Sequence, residues 1–372
     1  MQTVLVCVVL VLLAVGLLTD PEAGARVEAV DESQELFPAY DQTLGAYGYL
    51  DASGTFAIKA QFQAARAFSE GMAAVLYGGA WGYVDREGRI AVPAIYDLAG
   101  DFSEGLATVR LGEEYGYVDR QGRRVIWPAS PGAQPFSQGL AAVLSPGEPS
   151  GQSGATLSGR WGYIDRTGRL VIPPVSLSPG TFSEGLAPFR IETTGGEVRA
   201  GYIDRRGTIV VAPQFLAALD FSEGLAPVWS DQGAAHYWGY VDATGSYVVT
   251  PQFWEAVPFS EGLAVVKVGS GSNRLGYGYI DHSARLVIEP RFWGAEPFSQ
   301  GLAAVQPLAG AGDYRWGYID RKGRLVIPAQ FSEAGAFSPA GLALVSLDAE
   351  GQERAYIDRS GRIVYAWTEP NP

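Results

Sequence analysis

Trp161-Gly162-Tyr163-Ile164-Asp165-Arg166-Thr167-Gly168-Arg169-Leu170-Val171-Ile172-Pro173 reads as a β-hairpin. Asp165 and Gly168 hold the first and last places of a type I turn whose final residue is left-handed, the short hairpin loop that carries a bulge. Aromatic and β-branched residues flank it, as strands favour. Pro173 lacks the N–H that a continuing ladder needs, so the second strand is expected to end there. Gly168 is expected at positive φ, which only Gly takes without steric cost. Gly168→Val should therefore cost more stability than Thr167→Val beside it. The Asp165 carboxylate can accept hydrogen bonds from amides of its own turn.

The hairpin recurs. Gly-Tyr-(Val/Ile/Leu)-Asp occurs eight times, ending at Asp51, Asp85, Asp119, Asp165, Asp204, Asp242, Asp281 and Asp320, and Ala355-Tyr356-Ile357-Asp358 is a ninth copy. The turn Gly recurs too, with Ala284 the exception. Seventeen positions after each of the first eight Asp residues stands the Phe of a Phe-Ser motif: Phe68, Phe102, Phe136, Phe182, Phe221, Phe259, Phe298 and Phe337. The return distance to the next Asp varies from 17 to 29, so all length variation falls in one segment per repeat. Repeat architectures gather such insertions on one face, often the binding face. A third strand follows each Phe-Ser-(Glu/Gln)-Gly turn, as in Leu186-Ala187-Pro188-Phe189. Three short strands per unit, no helical period and 48 Gly residues indicate an all-β fold. Tyr and Phe at fixed places should stack between neighbouring units, each burial contributing roughly 1.5–3 kcal/mol. The aromatic before Gly-Tyr, at Tyr47, Trp81, Tyr115, Trp161, Trp238, Tyr277 and Trp316, is expected in the same spine.

With these motifs in view, the sequence resembles the WG-repeat family, whose units read Trp-Gly-Tyr-Ile-Asp-x-x-Gly, an aliphatic run ending in Pro, then Phe-Ser-Glu-Gly-Leu-Ala. The likeness runs from about Tyr47 to the C-terminus. Ala200 and Arg354 depart from the aromatic, Ala284 from the turn Gly, and Ala340 adds a residue before Gly341. The resemblance implies a bacterial interaction module with no assigned reaction or cofactor. The hairpin alone is also similar to the aromatic hairpins of choline-binding and related cell-wall-binding repeats, whose units are about half as long.

Eight full units followed by a ninth hairpin, Tyr356 to Trp367, do not sum to a whole number of repeats. The expectation is an open, curved or superhelical tandem β-hairpin array, solenoid-like, with an eight-bladed β-propeller as the alternative. Residues 46–367 form the repeat domain, the ninth hairpin caps its C-terminal end, residues 26–45 are a leader that partly covers the other end, and 368–372 are a tail.

Thr3 to Leu18 are uncharged and apolar, and the small run Ala23-Gly24-Ala25 follows, which reads as a secretory signal over 1–25 with an uncleaved anchor as the alternative. The protein is accordingly expected to be exported, periplasmic or extracellular. Cys7 is the single cysteine, so the rest of the chain has no thiol for a disulfide, zinc or nucleophilic attack. A net charge of −13 disfavours nucleic acid and anionic lipid, and no membrane contact is expected beyond the N-terminal segment.

The recurring Asp and the Glu of Phe-Ser-Glu-Gly invite a glycosidase reading, which needs one protonated and one ionised carboxyl group across a cleft. Gln138 and Gln300 stand where Glu70, Glu104, Glu184, Glu223 and Glu261 stand, and Pro339 takes the eighth place. A position that accepts Gln is a hydrogen-bond acceptor, not an acid or base. The nine Asp residues are framework for the same reason: a catalytic group would break the pattern once. Asp-x-x-Gly lacks the alternating oxygen ligands of a calcium loop, no Ser/His/Asp set follows from His236 and His282, and the Gly-rich loop Gly269–Arg274 precedes no helix that could cradle phosphate. No catalytic residue, metal or cofactor is assigned. Arg follows Asp in six turns, and a stack of them should set a row of Arg beside a row of Asp.

The expected function is a non-enzymatic exported scaffold that binds another protein. The long segment Ser145 to Arg160 is the leading contact loop. The alternative is a glycan-binding module using Trp229, Tyr237, Trp254 and Trp293, aromatics outside the recurring positions.

Overall fold

The computed structural model describes residues 34–145, 159–231, 237–269, 276–308 and 314–370. The apolar segment 1–25, the leader up to residue 33, most of the loop Ser145 to Arg160, His236 and most of the loop Gly269–Arg274 lie outside them. The described residues are all β, without a helix.

A full unit is a four-stranded antiparallel meander; the sheets that begin with Leu140–Leu144 and Leu186–Glu192 keep only its second, third and fourth strands. In the second sheet the strands are Ala64–Ala65, Met72–Tyr77, Ala80–Asp85 and Ile90–Tyr96, neighbours in chain order. The sequence pattern yields the last three and misses the first, which is two residues long and joined to the second strand by the Phe-Ser-Glu-Gly turn. That turn closes reciprocally, Ser69 N–H to Met72 O and Met72 N–H to Ser69 O, and Glu70 and Gly71 both take positive φ, 50° and 80°. This is the mirror-image turn that matches strand twist in tight hairpins. The fourth strand does not end at its Pro, as the sequence suggests. Leu170–Ser176 runs through Pro173 because a bulge lies there: Tyr163 pairs with Ile172, whereas Trp161 pairs with Ser176. The strand is at the sheet edge, where the missing donor faces no ladder. At the bulge the backbones approach so closely that a Cβ on Gly82 would lie 2.6 Å from Val92 O, hence the Gly of each Trp-Gly-Tyr. The ninth copy has Ala355 instead, and its third and fourth strands pair without that wide bulge.

Two sheets share a strand, since Leu286–Ala295 is the fourth strand of one unit and opens the next. The first sheet has three strands, Phe37–Asp41, Ala46–Leu50 and Phe56–Phe62, which correspond to the second, third and fourth of a unit. Phe37–Asp41 is therefore repeat and not leader, and the domain begins earlier than residue 46.

Neighbouring sheets share cores. Each buried Tyr meets the Phe of the following sheet, with ring centroids 4.7–5.0 Å apart in eight pairs from Tyr49–Phe68 to Tyr318–Phe337. The same Tyr donates its hydroxyl to a carbonyl two residues before that Phe, as Tyr163 does to Gly180 O at 2.9 Å. Both contacts cross from one sheet to the next, which is why the Asp-to-Phe spacing never changes. The aromatics before Gly-Tyr are half-buried at the other end of the sheets, where Tyr47, Trp81, Trp161, Trp238, Tyr277 and Trp316 pack against the margins of the same clusters.

The tandem hairpin array expected from the sequence is present, and its curvature brings the ends together. Nine buried clusters join consecutive sheets. Eight interfaces would suffice for nine sheets in a row; the ninth unites Phe37, Ala39 and Leu50 of the first sheet with Leu342, Tyr356 and Trp367 of the last. Phe37 and Tyr356 lie 5.2 Å apart between centroids, and Gly54 sits against Val364 as Gly88 sits against Ile58. The ninth hairpin, expected to cap a free end, instead packs on the first sheet, and the unit count is nine where the ring alternative had eight.

Candidate binding face

A four-stranded meander has two ends. At one, the first–second and third–fourth turns fall together; at the other, the second–third loops and the connections to the next sheet. The fixed motifs occupy the first end and the variable segments the second.

At the turn end the Asp carboxylate caps its own turn. Asp165 Oδ1 accepts from Thr167 N at 2.9 Å, Thr167 Oγ1 at 2.6 Å and Arg169 N at 3.2 Å. The Thr167 hydroxyl, with the amides and Arg169, outweighs desolvation and lowers the Asp165 carboxyl to about 2. The cation on its other oxygen is the residue four positions on: Arg89, Arg123, Arg169, Arg285, Arg324 and Arg362 each reach their Asp. The Arg directly after Asp, expected beside the Asp row, reaches back to the preceding unit. Arg120 Nη2 lies 3.0 Å from Glu70 Oε2, and Arg321 and Arg359 donate to the carbonyls of Glu261 and Gln300. His282 holds that place in its unit, stacking on Phe259 at 4.2 Å with Nε2 3.1 Å from Glu223 Oε2.

The Glu or Gln of Phe-Ser-Glu-Gly is an acceptor, though for the next unit's turn instead of its own. Glu104 accepts from Gly139 N at 2.8 Å, and Gln138 from Gly185 N at 2.8 Å. Burial raises the Glu70 carboxyl, but the Gly105 amide, Arg120 and the Glu104 amide outweigh it and leave the group below its ordinary value. Amide and carboxylate do the same work here, so the position needs an oxygen and not a proton. Among the described residues no three His, Cys, Asp or Glu come together as metal ligands.

The loop end holds the four singled-out aromatics. Trp229 stacks on Trp238 with rings 14° from parallel and centroids 6.4 Å apart. Tyr237 meets the edge of Trp254 at 5.2 Å, and the Trp254 indole N–H donates to Gly269 O. Trp293 lies one sheet further, 6.3 Å from Tyr314. The structure thus brings Trp229, Tyr237 and Trp254 into one neighbourhood and leaves Trp293 in the next. Beside Trp254, Glu255 binds the Lys267 ammonium at 2.6 Å and accepts from the Tyr277 hydroxyl, a set no motif signalled because each member belongs to a different strand. Tyr77 and Tyr314, also unsignalled, are 50% and 60% exposed. Both lie in variable segments where sequence comparison between units has no counterpart to offer.

A family model described as WG containing repeat matches residues 47–79, 81–115, 115–144, 161–192, 201–228, 238–270, 277–306 and 316–349. No curated protein matches the chain. Among solved structures it is similar to a crystal structure of the eukaryotic initiation factor, with a TM-score of 0.60 and 14% identity over 91% of this chain and 97% of that one. It is also similar to a puromycin hydrolase, TM-score 0.37 and 14% identity, covering 91% of this chain and 60% of the other. A third is the dihydro-heme d1 dehydrogenase NirN, TM-score 0.46 and 12% identity, over 90% and 78%. At such identity the first likeness is one of fold alone.

Proposed function

The chain belongs to the WG-containing repeat family, and from that premise we propose that this repeat scaffold is a non-enzymatic binding protein, exported by a bacterium, that recognises another protein through its loop end. The carrying observation is where exposed aromatic rings stand. Tyr77, Trp254, Trp293 and Tyr314 are 50%, 46%, 37% and 60% exposed, and all four lie at the loop end. Rigid aromatic rings give much contact area for little lost rotamer freedom, which is why they anchor interfaces. The variable lengths of the same segments support the reading, because a surface that must fit a partner changes while its frame does not. The apolar stretch Thr3 to Leu18 supports export, and the commitment of turn carboxylates to backbone amides favours a scaffold over a catalyst.

The test is capture from envelope extract by the wild-type chain, by Trp254→Ala/Trp293→Ala, and by a chain whose Ser145 to Arg160 segment is cut to the length of Tyr77 to Ala80. Both variants should fold with little change in melting temperature and lose captured partner. Full capture by both would move recognition off this end.

A second reading has its own observation: Trp254 and Trp293 occupy equivalent places in successive sheets, so two sugar rings of one glycan could stack one sheet apart. A glycan array distinguishes the two. Array binding that disappears in the double Trp variant favours the glycan; capture of protein without array binding favours the first reading.

A further inference from the structure

Where the fourth strand of one sheet faces the next sheet, the residue two places after the turn Gly governs how full the gap is. Tyr247 pairs with Val241 and sets its ring centroid 6.1 Å from that of Phe215 in the preceding sheet, with its hydroxyl buried. Phe56 pairs with Leu50 and meets Tyr365 of the last sheet at 5.5 Å. In both gaps the chain supplies the ring itself. Leu325, paired with Ile319, holds the same place in the sheet that ends at Phe331, and it is 48% exposed. Between it and the preceding sheet lies a cavity of about 720 Å³, a volume within the range of small-molecule sites. Phe292 and Ile319, 3% and 1% exposed, form its floor, and Leu308 forms a side. The Leu308 N–H donates to Arg291 O at 3.0 Å, which ties that side to the preceding sheet.

Cations set this cavity apart. Arg291, Lys322 and Arg324 line it, and no Asp or Glu stands among its described lining residues. Arg324 is held by Asp320. The Lys322 backbone N–H bonds Asp320 Oδ1, but among the described residues its ammonium has no ion-pair partner. Arg291 gives one guanidinium N–H to Gly323 O and has no ion-pair partner either. Both residues break the repeat. Gln61, Gln214, Gln252 and Gln330 stand where Arg291 stands, and Ser53, Thr167, Thr244, Ser283 and Ser360 stand where Lys322 stands. In a chain of net charge −13, two cations without acids on an apolar floor leave an anion as the missing member. The rest of the surface repels a polyanion, so the charge must be small, and the floor selects one joined to an apolar body.

We propose that this cavity binds a small organic monoanion. Its ring or short chain lies over Phe292, as Tyr247 and Phe56 lie against their own partners, and its carboxylate or sulfonate sits between Arg291 and Lys322. The guanidinium N–H donors not given to Gly323 can meet such a group as a fork, and the ammonium adds a second charge. The site is separate from the loop-end rings, since Trp254, Trp293 and Tyr314 do not line it. Its ligand is a small molecule, which goes beyond recognition of a protein.

Two dyes test the assignment on the full chain. Anilinonaphthalene sulfonate and neutral phenylnaphthylamine share their rings and differ in the sulfonate. Fluorescence titration should show the sulfonate binding about tenfold more tightly than the amine, and phenylbutyrate should displace it. Arg291→Gln/Lys322→Ser installs residues that other units carry at both places. It should weaken the sulfonate about tenfold and leave the amine unchanged. Leu325→Tyr should fill the cavity as Tyr247 fills its own gap, abolishing both signals without lowering the melting temperature. Equal binding of the two dyes, a sulfonate signal that is absent or survives both variants, or one that phenylbutyrate leaves in place overturns the assignment.

Discussion

Gly168 has φ +85°, and a Cβ there would lie 3.1 Å from Ile126 Cγ2 of the preceding sheet. Gly168→Val therefore meets left-handed strain and a contact across the sheet interface together, a loss of about 1–3 kcal/mol. Thr167→Val loses one exposed hydroxyl bond to Asp165, about 0.5–1 kcal/mol. Thermal unfolding of the two variants should rank them in that order, and equal losses would show the turn misassigned. Thr167 thus costs less than Gly168, as the sequence implies, yet it takes part in the turn. Its hydroxyl is the main cause holding Asp165 at about 2, and the Ser360 hydroxyl does the same for Asp358, also at about 2. A carboxyl group whose folded pKa lies below its unfolded value, near 3.9, stabilises the fold above that value. The contribution disappears as pH falls through the folded value. The melting temperature should consequently be insensitive to these turns above about pH 5 and fall between about pH 4 and 2. A scan with no loss across that window would mean that the turn carboxylates are not bonded in solution.

The Phe-Ser-Glu-Gly turn shows how a hairpin can be locally unfavourable and still recur. Seven Glu and Gln side chains sit at φ 50–55°, where non-Gly residues are uncommon. Six of the seven, all but Gln300, offset that conformation because the side-chain oxygen accepts from a Gly amide of the next unit's turn. Glu104→Gln should then be nearly silent, since Gln138 makes the same bond. Glu104→Ala keeps the strain and loses the bond, costing about 1–2 kcal/mol, and Glu104→Gly should recover part of it by relieving φ. If Ala and Gly prove equally costly, the backbone conformation is not what the side chain holds. The same hairpin marks the limit of sequence reading. A turn Asp, a turn Gly and an aliphatic run are local patterns, and they lead directly to the second, third and fourth strands. Two-residue first strands such as Ala64–Ala65 have no period to detect and exist through their neighbours. A lone Pro signals a strand end at Pro173, while the bulge that lets the strand run on depends on Gly162 in the facing strand. Of the candidate contact aromatics, Trp254 and Trp293 could be found by comparing units, whereas Tyr77 and Tyr314 lie where the units have no common length.

An array that returns to its start differs from an open one in a single interface, and the sequence hides that interface because its members, such as Tyr356 and Pro38, are 318 residues apart and break the repeat pattern. Trp367 stands on a fourth strand without the Pro and the wide bulge of the others; it is 5% exposed, packed with Tyr356 against Phe37 and Ala39 of the first sheet. Tyr356 and Tyr365 add hydroxyl bonds to Pro38 and Tyr40 carbonyls, and Phe56 meets Tyr365 edge to face at 5.5 Å. In an open solenoid a terminal repeat frays, and truncating its last aromatic costs little. In a closed one the same truncation opens a buried interface on both sides. Trp367→Ala should therefore cost about 3–5 kcal/mol, the range for a large aromatic removed from a core. The loss should appear as a lower midpoint of one cooperative transition, because every sheet leans on two others. A loss below about 1 kcal/mol, or early melting confined to the last hairpin, would mean that the two ends do not meet in solution.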